Sequence, residues 1–213
     1  NTHLEHLEDL IFNDGLPGGK AAVNHLVGFY EMLKGSAQTS FNLTTKWDGA
    51  PAIFAGIDPA DGKFFVGTKG VFNRNPKLNK SLADIKTNHP DKVVKGETKS
   101  AEGLRKKLVT AFTHLQKLNF TGVVQGDMLF SKGDIQTANI KGEEYIVFKP
   151  NTIIYAVPKN SDLAKEILSS NMGIVFHTEY VGGPTLADMN AQFGYDASAL
   201  GNGSNAGVWY RDA

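Results

Sequence analysis

Lys46-Trp47-Asp48-Gly49 is the segment of this sequence best suited to covalent chemistry. It follows Phe41, Leu43 and Thr45, which alternate as a strand does, and it leads into a second apolar run, Ala52-Ile53-Phe54-Ala55-Gly56. A lysine amine is ordinarily protonated and solvated. At a strand end beside an Asp-Gly turn it can be held in a cleft, where desolvation or neighbouring cations lower its pKa and free the lone pair for attack. Gly49 would allow a substrate or another backbone to approach closely. The same residues also read as a plain turn with Asp48-Gly49 as the turn pair.

A carboxylate stands inside the apolar run Val123-Val124-Gln125-Gly126-Asp127-Met128-Leu129-Phe130. Strand alternation sets Val124, Gly126, Met128 and Phe130 on one face and Val123, Gln125, Asp127 and Leu129 on the other. Asp127 is then either a surface-facing partner in the alternation or a metal ligand, since Mg²⁺ takes one or two carboxylates plus phosphate oxygens. Tyr155, in Ile153-Ile154-Tyr155-Ala156-Val157, reads as core or as a stacking platform. Trp47 points to the opposite face from Lys46 and reads as packing. His177 and Tyr180 are candidates to line the same cleft, and Asn73, Arg74 and Lys77 are candidate phosphate contacts. A Gly-x-x-x-x-Gly-Lys-Ser/Thr loop, a dinucleotide glycine fingerprint after a strand and zinc spacings are all absent from the sequence.

The elements that must position these residues can be read from periodicity. Leu4, Leu7, Leu10 and Ile11 predict a helix from Thr2 to Asn13, and Val23, Leu26, Val27, Tyr30 and Leu33 predict another from Lys20 to Leu33, with Leu16-Pro17-Gly18-Gly19 as a loop between them. This pair forms an N-terminal helical element over residues 1–38, and residues 39–213 form the functional domain. Residues 52–56 and 63–68, joined by Asp58-Pro59-Ala60-Asp61-Gly62, predict a hairpin. Residues 73–99 read as a long polar loop with short helical pieces. A helix is expected over 101–118, strands over 121–130, 144–149, 151–157 and 172–180, a short helix over 161–170, and a glycine-rich loop over 194–207. That order predicts an α+β fold with a mostly antiparallel sheet and flanking helices.

With 213 residues, 41% apolar and 21% charged, the chain has ordinary globular composition. No apolar run reaches the roughly 18 residues that a membrane helix needs, so no membrane is expected. The absence of cysteine excludes disulfide scaffolds, thiolate zinc sites and thiol nucleophiles. The first residue is Asn1 rather than Met, and the sequence is expected to be a piece of a longer product. Net charge is zero, but unevenly distributed. Residues 1–62 carry three lysines against eight acids, residues 63–107 twelve basic residues against four acids, and residues 108–213 seven against ten. The middle block reads as a polyanion-facing surface or as a solvated lysine-rich loop.

Taken together, Lys46-x-Asp48-Gly49, the hairpin after it, Phe65-Val66-Gly67-Thr68-Lys69-Gly70-Val71, the acidic strand with Asp127 and the strand with Tyr155 resemble the covalent nucleotidyltransferases. These are the polynucleotide ligases and capping enzymes, and the T-even-type phage RNA ligases are the most similar. The resemblance covers residues 40–180 in the family's order. It implies a nucleotidyltransferase domain of ATP-grasp-like ligase type, with Lys46 as the nucleophile that takes AMP from ATP. It further implies that Thr45, Asp48, Gly49, Lys69, Asp127 and Tyr155 contact the nucleotide and that Asp127 contacts Mg²⁺. RNA or DNA ends, guided by the basic segment 63–107, would be the partner. The whole sequence also resembles uncharacterised proteins of T-even-like marine phages, which implies the cytoplasm of an infected bacterium.

The sequence departs from the family at four points. Pro51 stands where DNA ligases and capping enzymes usually carry Arg, which favours the RNA-ligase branch. Asp127 stands where glutamate is usual. Met172-Gly173-Ile174-Val175-Phe176-His177 replaces Glu-Gly-x-Val-x-Lys, and the Lys-x-Lys strand has no counterpart before Ala213. A non-catalytic phage protein with a degenerate fold, binding nucleic acid or serving virion assembly, is therefore the alternative. Capping-type transfer with GTP is a third reading.

Overall fold

The computed structural model describes residues 7–36 and 47–212. The chain divides into two compact units, Asn1–Thr45 and Lys46–Ala213.

Helix α1 (Asp9–Leu33) fills the described part of the first unit. Leu16–Gly19 is helical here rather than a loop, and only Gly15 departs from helical geometry, at φ 59°. Two residue types explain this. Gly15 takes the positive φ at the kink without a steric penalty. Pro17 follows in the first turn of the second segment, where its missing N–H has no helical partner to lose. The kink presses Gly18 onto the Leu10 carbonyl, which a Cβ at that position would overlap. The predicted residues 2–6 lie outside the described residues.

The second unit is built on a six-stranded sheet. Its strands are β1 (Ala52–Ile57), β2 (Phe64–Gly67), β5 (Val123–Ser131), β9 (Met172–Val181), β10 (Asn190–Phe193) and β11 (Val208–Asp212). The order is β10-β9-β5-β1-β2, and β11 also pairs with β9. Every pairing is antiparallel except β11 with β9. The β1–β2 hairpin forms where the turn residues predict it. There the Asp58 carboxylate accepts the Ala60 N–H at 3.0 Å, an Asx-type turn.

Between β2 and β5 lie α2 (Leu82–Asn88), the hairpin β3 (Lys92–Val94) and β4 (Glu97–Lys99), and α3 (Glu102–Leu115). Residues 73–99 are thus less of a loop than the polar composition implies. Asn79, fully buried, pins the segment by pairing its backbone with Val66 and donating its side-chain amide to the Val66 carbonyl. Ser81 caps α2 by accepting the Asp84 N–H.

One sheet face is covered by α3, whose Leu104, Leu108, Ala111, Phe112 and Leu115 pack with Ile53, Val124, Met128 and Phe176. These are the helix positions that periodicity predicts. Truncating fully buried Leu108 to Ala would cost about 2–5 kcal/mol. The opposite face carries two clusters. Phe54, Phe65, Val71, Val123 and Leu186 gather at one end. At the other, a small antiparallel sheet of β6 (Gln136–Ile140), β7 (Glu143–Phe148) and β8 (Tyr155–Pro158), with α4 (Asp162–Ser169), closes over Leu129, Phe130, Val175 and Trp209. The short helix α5 (Gly203–Ala206) replaces part of the expected glycine-rich loop, and β11 follows directly after it.

The predicted alternation along β5 breaks once. Met128 pairs with Ile174, but Phe130 pairs with the adjacent Gly173, so Leu129 is an extra residue. A bulge of this kind reverses the sense of alternation beyond it. Phe130 therefore joins Leu129 in the second cluster instead of lying with Val124 and Met128. On β9, His177 is the extra residue, because Gly126 pairs with Phe176 and Gln125 with Thr178. As a result Phe176 packs under α3, while Tyr180 packs with Phe54 and Val123 on the other face.

Candidate functional site

Thr45 and Lys46 lie outside the described residues; the site is built from Trp47 onward. Trp47 packs against Tyr155 and Trp209, with ring centroids 5.6 and 6.1 Å away, as a packing residue should. The next residues run back along β5. The Ala50 N–H donates to the Met128 carbonyl at 2.9 Å, and the Met128 N–H donates to the Pro51 carbonyl at 3.1 Å. Lys107, on α3, donates to the Ala50 carbonyl at 3.0 Å.

Gly49 is seated directly on Asp127. A Cβ at position 49 would stand 2.7 Å from the Asp127 Cβ and 3.0 Å from the Met128 carbonyl oxygen. No side chain fits there without moving β5. The glycine thus serves close backbone approach, and the approach brings two of the candidate motifs together.

Asp48 organises a second approach. Its carboxylate accepts the Asn151 side-chain amide at 2.9 Å, the Thr152 N–H at 3.0 Å, the Thr152 hydroxyl at 2.8 Å and the Ile153 N–H at 3.2 Å. These bonds, the Asn151 amide and the Thr152 hydroxyl foremost, lower its pKa to about 2. They also explain why β8 begins at Tyr155 and not at residue 151: the N–H groups of Thr152 and Ile153 bond to Asp48 rather than to a strand. Asn151 and Thr152 were not singled out in the sequence, although Lys149-Pro150-Asn151-Thr152 has turn composition. Tyr155 completes the clamp. Its hydroxyl accepts the Asp48 N–H at 2.7 Å, and its ring stacks on Phe148 at 5.4 Å and 21°.

Ladder pairing sets Ala52, Asp127 and Val175 side by side on the face opposite α3. The bulge residue His177 brings its Nε2 to 3.8 Å from an Asp127 carboxylate oxygen, and its Nδ1 lies 2.7 Å from the Thr178 hydroxyl. Tyr180 donates to the Gln125 side-chain oxygen at 2.8 Å. The sequence candidates His177 and Asp127 are therefore neighbours. The bulge that aims the ring left no mark in the residue pattern. Among the described residues no group of three or more His, Asp or Glu side chains is arranged to hold a metal ion. Asp127 offers one partly exposed carboxylate, a donor set that fits Mg²⁺ only if phosphate oxygens and water supply the rest.

Lys69 opens a short 3-10 helix, Lys69–Phe72, directly after β2, and is exposed. The basic segment divides into two groups. Lys80 is bound at 2.5 Å to buried Asp58 and at 2.9 Å to Asp61. Burial opposes its charge, but the hydrogen bonds it donates to the two carboxylates outweigh it and hold the Lys80 pKa above its ordinary value. Lys77 donates to the Asn88 carbonyl at 2.9 Å. Lys77 thus closes the 77–88 segment on itself, and Lys80 ties it to the turn between β1 and β2. Lys86, Lys92, Lys95 and Lys99 have no ion-pair partner among the described residues.

The chain belongs to the family of unknown function DUF6267, which matches residues 1–211. No curated protein and no solved structure matches it. No described helix is long and apolar enough to cross a membrane.

Proposed function

We propose that the protein is a polynucleotide ligase-like nucleotidyltransferase that works on RNA or DNA ends. The observation that supports this reading is the seating of Gly49 on Asp127, because it joins the Trp47-Asp48-Gly49 turn to the acidic strand. In this reading the unprotonated Lys46 amine attacks the α-phosphorus of ATP. A P–N bond forms, the P–O bond to the leaving pyrophosphate breaks, and the amine proton passes to solvent. A 5′-phosphate end then takes the AMP from Lys46, and a 3′-hydroxyl displaces AMP to join the ends. Asp48 and Tyr155 hold the turn after the nucleophile, and Lys69 offers an exposed cation to phosphate. Mg²⁺, held by Asp127 and phosphate oxygens, would neutralise charge on the phosphates. Such chemistry depends mostly on positioning and charge neutralisation. The resemblance to phage proteins supports the cytoplasm of an infected bacterium as the place of this activity. The test is transfer of label from α-³²P-ATP, compared with α-³²P-GTP, to the chain. ATP labelling that is lost in Lys46→Ala supports the reading; capping-type transfer would favour GTP.

One observation favours the non-catalytic alternative. Met172, at the place of the family's glutamate, is fully buried among apolar residues under α3. A chain that binds oligonucleotides yet takes no label from either nucleotide would be the degenerate, nucleic-acid-binding protein.

A further inference from the structure

Across the small hairpin, Lys92 and Lys99 are directly paired. Like charges opposite each other destabilise a two-stranded ribbon, and an isolated hairpin is marginal in water to begin with. Every residue from Asp91 to Ser100 is exposed, so no core offsets the repulsion. A third lysine, Lys95, stands at the turn. The carboxylates nearby are largely committed. Asp91 accepts from Arg105 at 2.8 Å and from the Ala101 N–H at 2.7 Å, which anchors the hairpin to α3. Glu102 is paired with Lys106 at 2.7 Å. Glu97, opposite Val94, is the one acid on the ribbon itself. At the hairpin base, buried His89 is held below its ordinary pKa by burial first and then by Lys77, Arg105 and Lys92, an independent sign that positive charge converges there. Beside it, Leu82, Ile85, Pro90 and Val109 line a groove of about 420 Å³ edged by Lys86 and by the Arg105–Asp91 pair.

We infer that the β3–β4 hairpin, together with Lys86, is an arm that grips the phosphate backbone of a nucleic-acid strand. A polyanion relieves the Lys92–Lys99 repulsion that the protein leaves uncompensated. The apolar component is a groove between α2 and α3, which suits a sugar or base beside its phosphate rather than the plane of an anionic bilayer. Among the described residues no aromatic ring lines the groove to read a base by stacking, so the arm recognises backbone and not sequence. The inference deepens the polynucleotide reading above, naming the element that makes the contact, but it does not require nucleotide transfer to Lys46.

The experiment measures binding of fluorescent single-stranded 20-mers of RNA and DNA by the full chain across a salt series. Lys92→Glu/Lys95→Glu/Lys99→Glu is compared with Lys117→Glu/Lys132→Glu/Lys141→Glu. The second set carries the same charge change on other exposed positions, and Lys141 has the same positive φ as Lys95. Thermal unfolding is recorded for both. The hairpin variant should bind at least tenfold more weakly, and its slope of log K against log salt should flatten by about 2, from roughly 0.7 for each of three lost phosphate contacts. The control should bind within about threefold of the parent. Equal losses in the two variants, or a hairpin variant that binds as the parent does, overturn the inference while leaving the polynucleotide reading intact. A parent that binds phosphatidylserine vesicles but neither oligonucleotide overturns both.

Discussion

Gly49 and Asp127 touch: the α-carbon of one lies so close to the side chain of the other that a methyl group at position 49 would be 2.7 Å from the Asp127 Cβ. Gly49→Ala must therefore push the 47–51 segment away from β5. The overpacking should cost about 1–3 kcal/mol, read as a drop in Tm, and nucleotide labelling should fall more steeply than stability. A variant that unfolds and labels like the parent would show that the contact has no bearing on the site.

Asp48 ties the same segment to residues 151–153 and has a folded-state pKa of about 2. A depressed carboxylate contributes stability that is present above its unfolded pKa, about 3.9, and lost as pH falls towards the folded value. Denaturant midpoints of the parent should therefore decline between pH 4 and pH 2, and Asp48→Asn should reduce that decline while lowering stability at pH 7. Parallel pH profiles for the two proteins would remove Asp48 from this role.

Lys80 is a structural cation in this fold. Asp58 beside it is nearly fully buried, whereas Lys80 keeps a quarter of its side-chain surface exposed. Lys80→Glu should destabilise by about 2–3 kcal/mol, below the roughly 3–5 kcal/mol of breaking a fully buried pair. Lys86→Glu should leave Tm unchanged. The comparison is a pair of thermal melts, and equal effects would contradict the division of the basic segment.

Asp127 is accessible enough to be altered without loss of fold, since among the described residues its carboxylate makes only the 3.8 Å approach to His177. Asp127→Asn should raise the Mg²⁺ concentration needed for half-maximal labelling by about tenfold, with Tm nearly unchanged. An unaltered Mg²⁺ titration would return Asp127 to the role of a surface residue.

Much of this arrangement could be read from local pattern. The Asp58–Gly62 turn between two apolar runs predicts β1 and β2, and the leucine spacing of residues 104–115 predicts α3 with the correct buried face. What could not be read depends on partners distant in the chain. The bulges at Leu129 and His177 exist only in the register between β5 and β9. Strand β11 is short and pairs in parallel with a strand more than thirty residues earlier, so its Val208-Trp209-Tyr210 looks like any apolar triplet. The β3–β4 hairpin is lysine-rich and wholly exposed, and hydrophobic periodicity is blind to such a strand. Asp48 was visible as a turn residue, but its four donors come from a segment a hundred residues away.

Ligase-type chemistry requires a covalent nucleotide on Lys46. Intact-mass measurement of the purified chain after incubation with ATP and Mg²⁺ tests it most directly, with peptide mapping to locate any addition. The expected result is a gain of one adenylyl group, mapped to Lys46, absent in Lys46→Ala and in Lys46→Arg, whose guanidinium stays protonated. An unchanged mass in the parent, or an addition that persists in Lys46→Ala, contradicts it.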